Sequence, residues 1–422
     1  MTEVGGGPSV GAFAGPIARS SVARVGIATA VTAVCGYAVV YLAARDLAPA
    51  GFSVFAVFWG AFGLVTGAAN GLLQETTREI RAGGYESRAE VLPDRRTHPL
   101  RVAGMVGIAA ALVIAGSSPL WSGRVFAQAH WLSVALLSGG LAGFCLHATL
   151  LGMLAGTNRW TQYGALMVTD AVIRVAVATA TVLAGWALVG FLWATVAGAL
   201  AWLIMIGASP ATRAAARLLT PVGTVTFLRG AAHSITAAGA SAILVMGFPV
   251  LLKVTSSQLG AQGGVVILAV TLTRAPLLVP LTAMQGNLIA HFVDQRTERL
   301  RALIAPAALV AGIGAVGVLA AGLVGPWLLR VGFGPDYHAA GALLAWLTAA
   351  AVAIAMLTLT GAATVAAALH RSYALGWVCA TVAATLLLLL PVSLETRTVV
   401  ALLCGPLVGI GVHLAALARP GR

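Results

Sequence analysis

LAPAGFSVFAVFWG, at Leu47–Gly60, governs the reading of this chain, because LGAQGGVVILAVTL, at Leu259–Leu272, echoes it 212 residues later. Each stretch begins in a turn-forming segment containing Gly or Pro and runs into an apolar helix, and the offset is close to half of the 422 residues. A repeated multi-helix unit is the physical implication. Outward from these two stretches the chain stays apolar, with 59% hydrophobic and 9% charged residues and a mean hydropathy of +0.96. Such a composition excludes a set of soluble domains. With about 20 apolar residues needed per crossing, the length accommodates about a dozen spans and leaves no room for a sizeable soluble domain.

Apolar stretches bounded by charge, Gly or Pro predict six spans in the first half, at 22–44, 52–74, 100–117, 131–155, 163–185 and 188–208. The second half supplies 230–252, 263–291, 302–325, 340–369, 373–391 and 398–418. The expected fold is an all-α integral membrane protein of about 12 helices in two six-helix lobes around a central cavity. Its parts are a cytoplasmic tail at 1–21, a lobe at 22–208, a cytoplasmic linker at 209–229, a second lobe at 230–418 and a cytoplasmic tail at 419–422. Lys253 is the only lysine, so the net charge of +13 is carried by arginine. With a cytoplasmic N-terminus, eighteen of the 25 basic residues fall inside and five outside, while Arg174 and Arg274 lie within spans. This asymmetry fits the positive-inside rule with both termini cytoplasmic, and it explains the charge without nucleic acid. The apolar stretch after Arg24 is too long for a signal-peptide core, so the first span is expected to stay as an anchor. The longest loop, Glu75 to Leu100, mixes acids with arginines and reads as an amphipathic stretch at the inner surface. Cys35, Cys145, Cys379 and Cys404 sit far apart in apolar runs and read as packing residues, with no metal or redox spacing.

Charges at membrane depth carry the functional information, because one near the bilayer centre costs roughly 2.5 to 3.5 kcal/mol even on lenient insertion scales. Asp170 and Arg174 are four apart in the fifth span and share a helix face. They form either a cavity arginine oriented by its aspartate to engage phosphate, or a self-neutralised pair that locks helix packing. Arg274 has no acidic neighbour at helical spacing, and Pro276 and Pro280 after it should loosen the helix. It reads as a ligand for an anion, or as the partner of Asp170 across the lobes. His147 binds a sugar hydroxyl, carries a proton or simply packs. Lys253 either snorkels to the outer interface or lines an outer vestibule. Arg24, Asn70, Gln74 and Glu75 are candidates for an inner gate, with a helix end at the interface as the other reading for the last three. His233, Gln285, Asn287 and His291 are weaker polar candidates. Trp131, Trp160, Trp327, Trp346 and Trp377 fall near span ends and read as interfacial anchors.

Several segments spread over most of the chain resemble the multidrug/oligosaccharidyl-lipid/polysaccharide (MOP) transporter superfamily, and within it the polysaccharide-export and O-antigen flippase type. They are LAPAGFSVFAVF entering the second span, QLGAQGGVVILAVTLTRAPLLVP in the eighth, and GPWLLRVGFGPDYHAAGALLAWL between the ninth and tenth. The last contains the Phe-Gly-x-x-Tyr turn, Phe333, Gly334 and Tyr337, that the family repeatedly has there. The inner turns GTNRWTQYG at Gly156–Gly164 and LHRSYALG at Leu369–Gly376 are also similar. The resemblance implies a flippase for a polyprenyl-diphosphate-linked oligosaccharide with a cationic central cavity, here Arg274, Arg174, Asp170, His147 and Lys253. Twelve spans depart from the fourteen usual in lipid II flippases, and Asp170 is the only acid well placed for ion coupling of the drug-exporting branch.

No nucleotide-binding motif of the form GxxxxGK[ST] occurs and no cofactor is expected, so a coupling ion, proton or sodium, stays open as the energy source. An ion-coupled drug or metabolite exporter of the same superfamily is the alternative. A polyprenyl-dependent membrane glycosyltransferase is disfavoured by short outer loops whose acids, Asp46, Asp336 and Glu395, are unpaired in sequence. The expected partners are the lipid-linked glycan, membrane lipids and other polysaccharide-assembly membrane proteins. Richness in Ala, Val, Gly and Arg points to a bacterial plasma membrane.

Overall fold

In the computed structural model, residues 16–86, 96–284 and 299–419 are described, together with Leu288, His291, Phe292 and Gln295. Among them, nine helices are long and apolar enough to cross a membrane. One of these, Ala23–Ala82, has 60 residues. Run straight it would extend about 90 Å, three times the hydrocarbon core, so it must turn back. It does so at Ala48 (φ 51°, ψ 170°), next to Pro49, and supplies spans 1 and 2. Spans 3 to 6 are Pro99–Val125, His130–Gly156, Trp160–Ala184 and Ala187–Ala208. Span 7 is the pair Thr224–Val245 and Phe248–Val254, bent by 66°. Spans 8 to 12 are Gly260–Ala283, Arg299–Phe333, Gly341–Ala366, His370–Leu387 and Leu394–Leu417. The fold is therefore the two-lobed, twelve-span architecture expected, and "inner" below denotes the side that the arginines assign to the cytoplasm.

The internal repeat is visible in the backbone. Ala48 (φ 51°) and Gly260 (φ 53°), at matching positions of the two echoing stretches, both take left-handed conformations. The inner turns at Asn158 (φ 57°) and Ala368 (φ 60°) repeat each other bond for bond. Arg159 N donates to Leu154 O at 2.8 Å as Leu369 N donates to Thr364 O at 2.8 Å. Left-handed residues other than glycine are uncommon, so their recurrence at equivalent places marks a duplicated fold rather than chance.

Lipid is as apolar as leucine, so spans associate through close backbone approach and internal polar contacts. Span 2 shows this on two faces. Phe55, Phe58 and Phe62, at helical spacing, point into the N-terminal lobe, where Phe55 meets Phe191 at 5.8 Å, Phe58 meets Phe126 at 5.9 Å and Phe62 meets Phe144 at 6.5 Å. A stripe of Gly60, Gly63, Gly67 and Gly71 lies along span 7 of the other lobe. A Cβ would fall 3.0 Å from Pro249 at Gly60, 3.2 Å from Met246 at Gly63 and 2.7 Å from Ala242 at Gly67. At Gly71 it would overlap the backbone of Ser234 and Ile235.

Four expectations need correction. Span 2 continues as helix to Glu86 instead of ending near residue 74, so Glu75 and Glu79 are buried helix residues rather than part of a surface loop; residues 87–95 of that loop lie outside the described residues. Span 8 runs unbroken through Pro276 and Pro280, and the break lies in span 7 at Met246–Gly247. Span 8 ends at Ala283, short of residue 291, while span 9 extends to Phe333. Trp377 is 2% exposed and packs beside Tyr373, which removes it from the interfacial anchors, whereas Trp131, Trp327 and Trp346 are exposed.

The outer end between the lobes is sealed. Tyr337, from the turn between spans 9 and 10, is 1% exposed and donates its hydroxyl to Ala44 O at 2.9 Å across the lobe boundary. Its ring meets Phe52 edge-on at 6.4 Å, and Phe333 meets Tyr41 at 5.5 Å. Burial, with Asp336 beside it, pushes the Tyr337 hydroxyl well above its ordinary range, so it stays a neutral donor at physiological pH. Gly334 makes the turn possible with φ 108°, a region closed to other residues. Inward from this seal, span 8 is buried from Val265 to Val270, and after Thr271 the flanking positions are half-buried or exposed. Span 1 likewise exposes Ile27 and Val34. The lobes thus meet at the outer end through the Tyr337 and Phe333 contacts, and the inner positions of spans 1 and 8 are less buried than the outer half of span 8.

Candidate functional site

Arg274 sits where the packed half of span 8 ends. Its side chain is built into the bend of span 7. In an unbroken helix the carbonyl of Val245 would accept from residue 249, but Pro249 has no N–H. Arg274 Nη1 supplies that missing donor at 3.2 Å. The guanidinium lies over the Phe248 ring at 5.2 Å, and the residue is 7% exposed. Tyr37 of span 1 lies within electrostatic range across the lobes. Nη2 has no hydrogen-bond partner among the described residues. The sequence left Asp170 open as an inter-lobe partner, and the structure gives Arg274 the Val245 carbonyl and an aromatic face instead. A buried cation with an unused donor is a preorganised anion site.

Asp170 and Arg174 pair with each other, Nη2 to Oδ1 at 3.0 Å, with side chains 13% and 15% exposed. Arg174 Nη1 also donates to Thr195 O at 2.7 Å, and the guanidinium covers Phe62 at 5.5 Å. The pair fits against span 6 because that span tightens into a 3-10 turn at Gly198–Leu200, and a Cβ on Gly198 would overlap Asp170 Oδ1. Nearby, His147 is 2% exposed, stacks on Phe144 at 5.4 Å, and leaves Nδ1 unpartnered. Gly198→Ala is expected to destabilise the protein by about 1 to 3 kcal/mol through overpacking, seen as earlier thermal unfolding in detergent. Gly207→Ala, where a Cβ meets nothing within 4 Å, is the matched control.

Glu75 faces the other lobe. It accepts from Arg78 Nη2 at 2.6 Å and lies 3.5 Å from Ser234 Oγ, with Gly230 leaving the space for its carboxylate. Arg78 also binds Glu79 at 2.8 Å. Asn70 is half-buried and Gln74 exposed on the same helix. Arg24 is exposed and donates to Thr161 at 3.1 Å within the N-terminal lobe, away from this contact. Lys253 is half-buried in the last turn of Phe248–Val254, at the outer side. His233 is exposed, and its Nδ1 lies 2.7 Å from Arg229 O. Gln285 and Asn287 lie outside the described residues, and His291 is half-buried with Nε2 unpartnered among the described residues.

The sequence did not single out Tyr337, Tyr37 or His413 as site residues. His413 is fully buried in span 12, between Thr360 of span 10 and Tyr373 of span 11. A histidine in an otherwise apolar span was the available signal. Its glycine neighbours, Gly361 and Gly376, come from other spans and are invisible in one-dimensional spacing.

No family model matches the chain. It is 79% identical to the uncharacterized protein Rv3630 of Mycobacterium tuberculosis over 99% of this chain and 98% of that protein. Uncharacterized protein Rv1510 of the same species is 74% identical, over 99% and 96%. Among solved structures, it resembles an inward-facing multidrug resistance MATE family transporter of the MOP superfamily, with a TM-score of 0.71 at 15% identity, covering 92% of this chain and 94% of that one. An outward-facing MATE structure gives 0.63 at 16% identity, with coverage of 95% and 97%. A MOP superfamily transporter from Pyrococcus furiosus, described by a reverse polarity of its binding pocket, gives 0.62 at 16% identity, with 95% and 97% covered. These likenesses establish the fold.

Proposed function

Since the chain belongs to one family with the mycobacterial proteins Rv3630 and Rv1510 and has the fold of MOP-superfamily transporters, we propose that it is a lipid-linked oligosaccharide flippase. It moves a polyprenyl-diphosphate-linked oligosaccharide, or a related glycolipid, to the outer leaflet for cell-surface polysaccharide biosynthesis. The lobes rock between inner and outer openings, and the chain spans the bacterial plasma membrane with both termini cytoplasmic. Its lipid-linked substrate is exchanged with other polysaccharide-assembly membrane proteins.

Arg274 carries this reading: its unused Nη2, buried where the packed half of span 8 ends, offers a donor to a phosphate oxygen. Arg274 can keep its Val245 bond while Nη2 binds the diphosphate, and the polyprenyl tail stays in lipid. Arg174 is already committed to Asp170 and Thr195, so it serves the N-terminal lobe as a packed polar element. The same pairing leaves Asp170 poorly suited to an acidic drug-binding cavity. The test is leaflet transfer of a fluorescent polyprenyl-diphosphate sugar in liposomes holding the purified protein. Transfer above empty liposomes is expected. Absence of transfer across several glycan lipids, together with ion-dependent efflux of a cationic dye, would replace this reading with an exporter.

A further inference from the structure

Transport against a gradient needs an energy source, and the buried acids of the N-terminal lobe are engaged, Asp170 by Arg174 and Glu75 and Glu79 by Arg78. His413 offers a different site. It is 0% exposed, one turn from the C-terminal end of span 12. Its Nε2 lies 3.2 Å from the carbonyl of Tyr373, which can only accept, so Nε2 carries a proton. Its Nδ1 lies 3.0 Å from Thr360 Oγ1. That hydroxyl also lies 3.0 Å from Met356 O and 3.1 Å from Leu357 O, and it has one proton to give.

Two complete arrangements follow. With a neutral ring, the Thr360 hydroxyl donates to Nδ1. With a doubly protonated ring, Nδ1–H donates to Oγ1, and the hydroxyl turns to donate to Met356 or Leu357. Both protonation states therefore satisfy every polar atom around the ring, which an ordinary packing histidine does not require. His147 differs, because a proton added at its Nδ1 would meet no acceptor among the described residues. The space around His413 is also built for a ring. A Cβ on Gly376 would overlap it, one on Gly361 would come within 3.5 Å of Cε1, and Tyr373 stacks parallel at 6.2 Å.

We propose that His413 is a proton-binding site of the C-terminal lobe and that its loading and release drive the transport cycle. This rests on the transporter reading above. The charged groups on the elements packed around it are few. Glu395 and Arg397 are at the outer end of its own span, and span 10 has none. Span 11 brings His370 and Arg371 at its inner start, span 8 brings Arg274, and span 9 brings Arg299, Arg301 and Arg330 near its ends. Among the described residues on these elements no carboxylate reaches the ring, so the proton is held by the Thr360 and Tyr373 hydrogen bonds and can leave when the hydroxyl turns back. Span 11, which carries Tyr373, packs against Thr224–Val245 of span 7, which links the site to the bent span that holds Arg274.

Two measurements decide it. In protein carrying labelled histidine, the nuclear magnetic resonance signal lost in His413→Asn belongs to this ring. It is expected to change from singly to doubly protonated between about pH 8 and pH 5, the range open to imidazole, and its midpoint is expected to move in Thr360→Val. A ring that keeps one tautomer over that range overturns the proposal. In liposomes with an entrapped pH dye, the wild type is expected to move protons together with the polyprenyl-diphosphate sugar, and His413→Asn to lose at least tenfold of the acceleration given by a pH gradient. Equal acceleration in the variant also overturns it. Should the wild type transfer no lipid, the transporter reading fails, while the resonance titration still decides whether His413 binds the proton.

Discussion

Arg274→Ala is expected to lower leaflet transfer of a polyprenyl-diphosphate sugar by about a hundredfold or more. Truncating one partner of a buried, hydrogen-bonded charge contact costs about 2 to 5 kcal/mol, and each 1.4 kcal/mol is a factor of ten. Two losses add in this variant. The diphosphate loses its donor, and the Val245 carbonyl, already without a helical partner because of Pro249, loses the Nη1 bond of 3.2 Å. Arg274→Lys separates them: an ammonium keeps the charge but cannot hold Val245 and a phosphate oxygen in one planar fork. Lysine is expected to recover part of the transfer while leaving a steeper loss at high salt. Thermal unfolding of each variant identifies any contribution from misfolding. Wild-type transfer rates in a folded Arg274→Ala protein would remove the residue from the cavity and the proposed anion site with it.

Tyr337→Ala is expected to open the outer seal. An aromatic side chain removed from a packed site costs about 3 to 5 kcal/mol, and the contacts of Tyr337 with Ala44 and Phe52 exist only while the lobes meet at the outer end. Even half of that difference shifts the ratio of outer-closed to outer-open forms by more than tenfold. Spin labels at Asp46 and His338, both exposed on opposite sides of the seal, should report a new long-distance population. Tyr337→Phe keeps the ring and removes only the hydroxyl bond to Ala44. It is expected to shift the ratio by about fivefold, near the 1 kcal/mol of one neutral hydrogen bond. Identical distance distributions in wild type and Tyr337→Ala would show that the seal is held elsewhere.

The spans, the two lobes and the internal repeat were legible because they depend on properties that act over twenty residues at a time: apolar length, arginine asymmetry and half-chain echo. Where a helix breaks was not, since a proline bends a helix only if its surroundings fail to support it. Pro276 and Pro280 sit in an unbroken span 8, while Pro249 accompanies the bend of span 7, and Arg274, 25 positions away, compensates the carbonyl it leaves bare. Asp170 and Arg174 were readable as a pair from their four-residue spacing. Gly198, which makes room for them, comes from another span, as do Thr360 and Tyr373 around His413. Glu75 was read as an inner-gate candidate or a helix end at the interface, and its burial against Gly230 and Ser234 of the opposite lobe was not legible from its own span.

The glycine stripe of span 2 bears on how two halves of a molecule can exchange openings without coming apart. Interlocked leucines would have to leave their holes and find new rotamers at every stroke, which makes motion slow and stepwise. A bare ridge of Gly60, Gly63, Gly67 and Gly71 against span 7 has no teeth, so one helix can roll on the other like a journal in its bearing. The axle of the machine would then be the place where its side chains are missing.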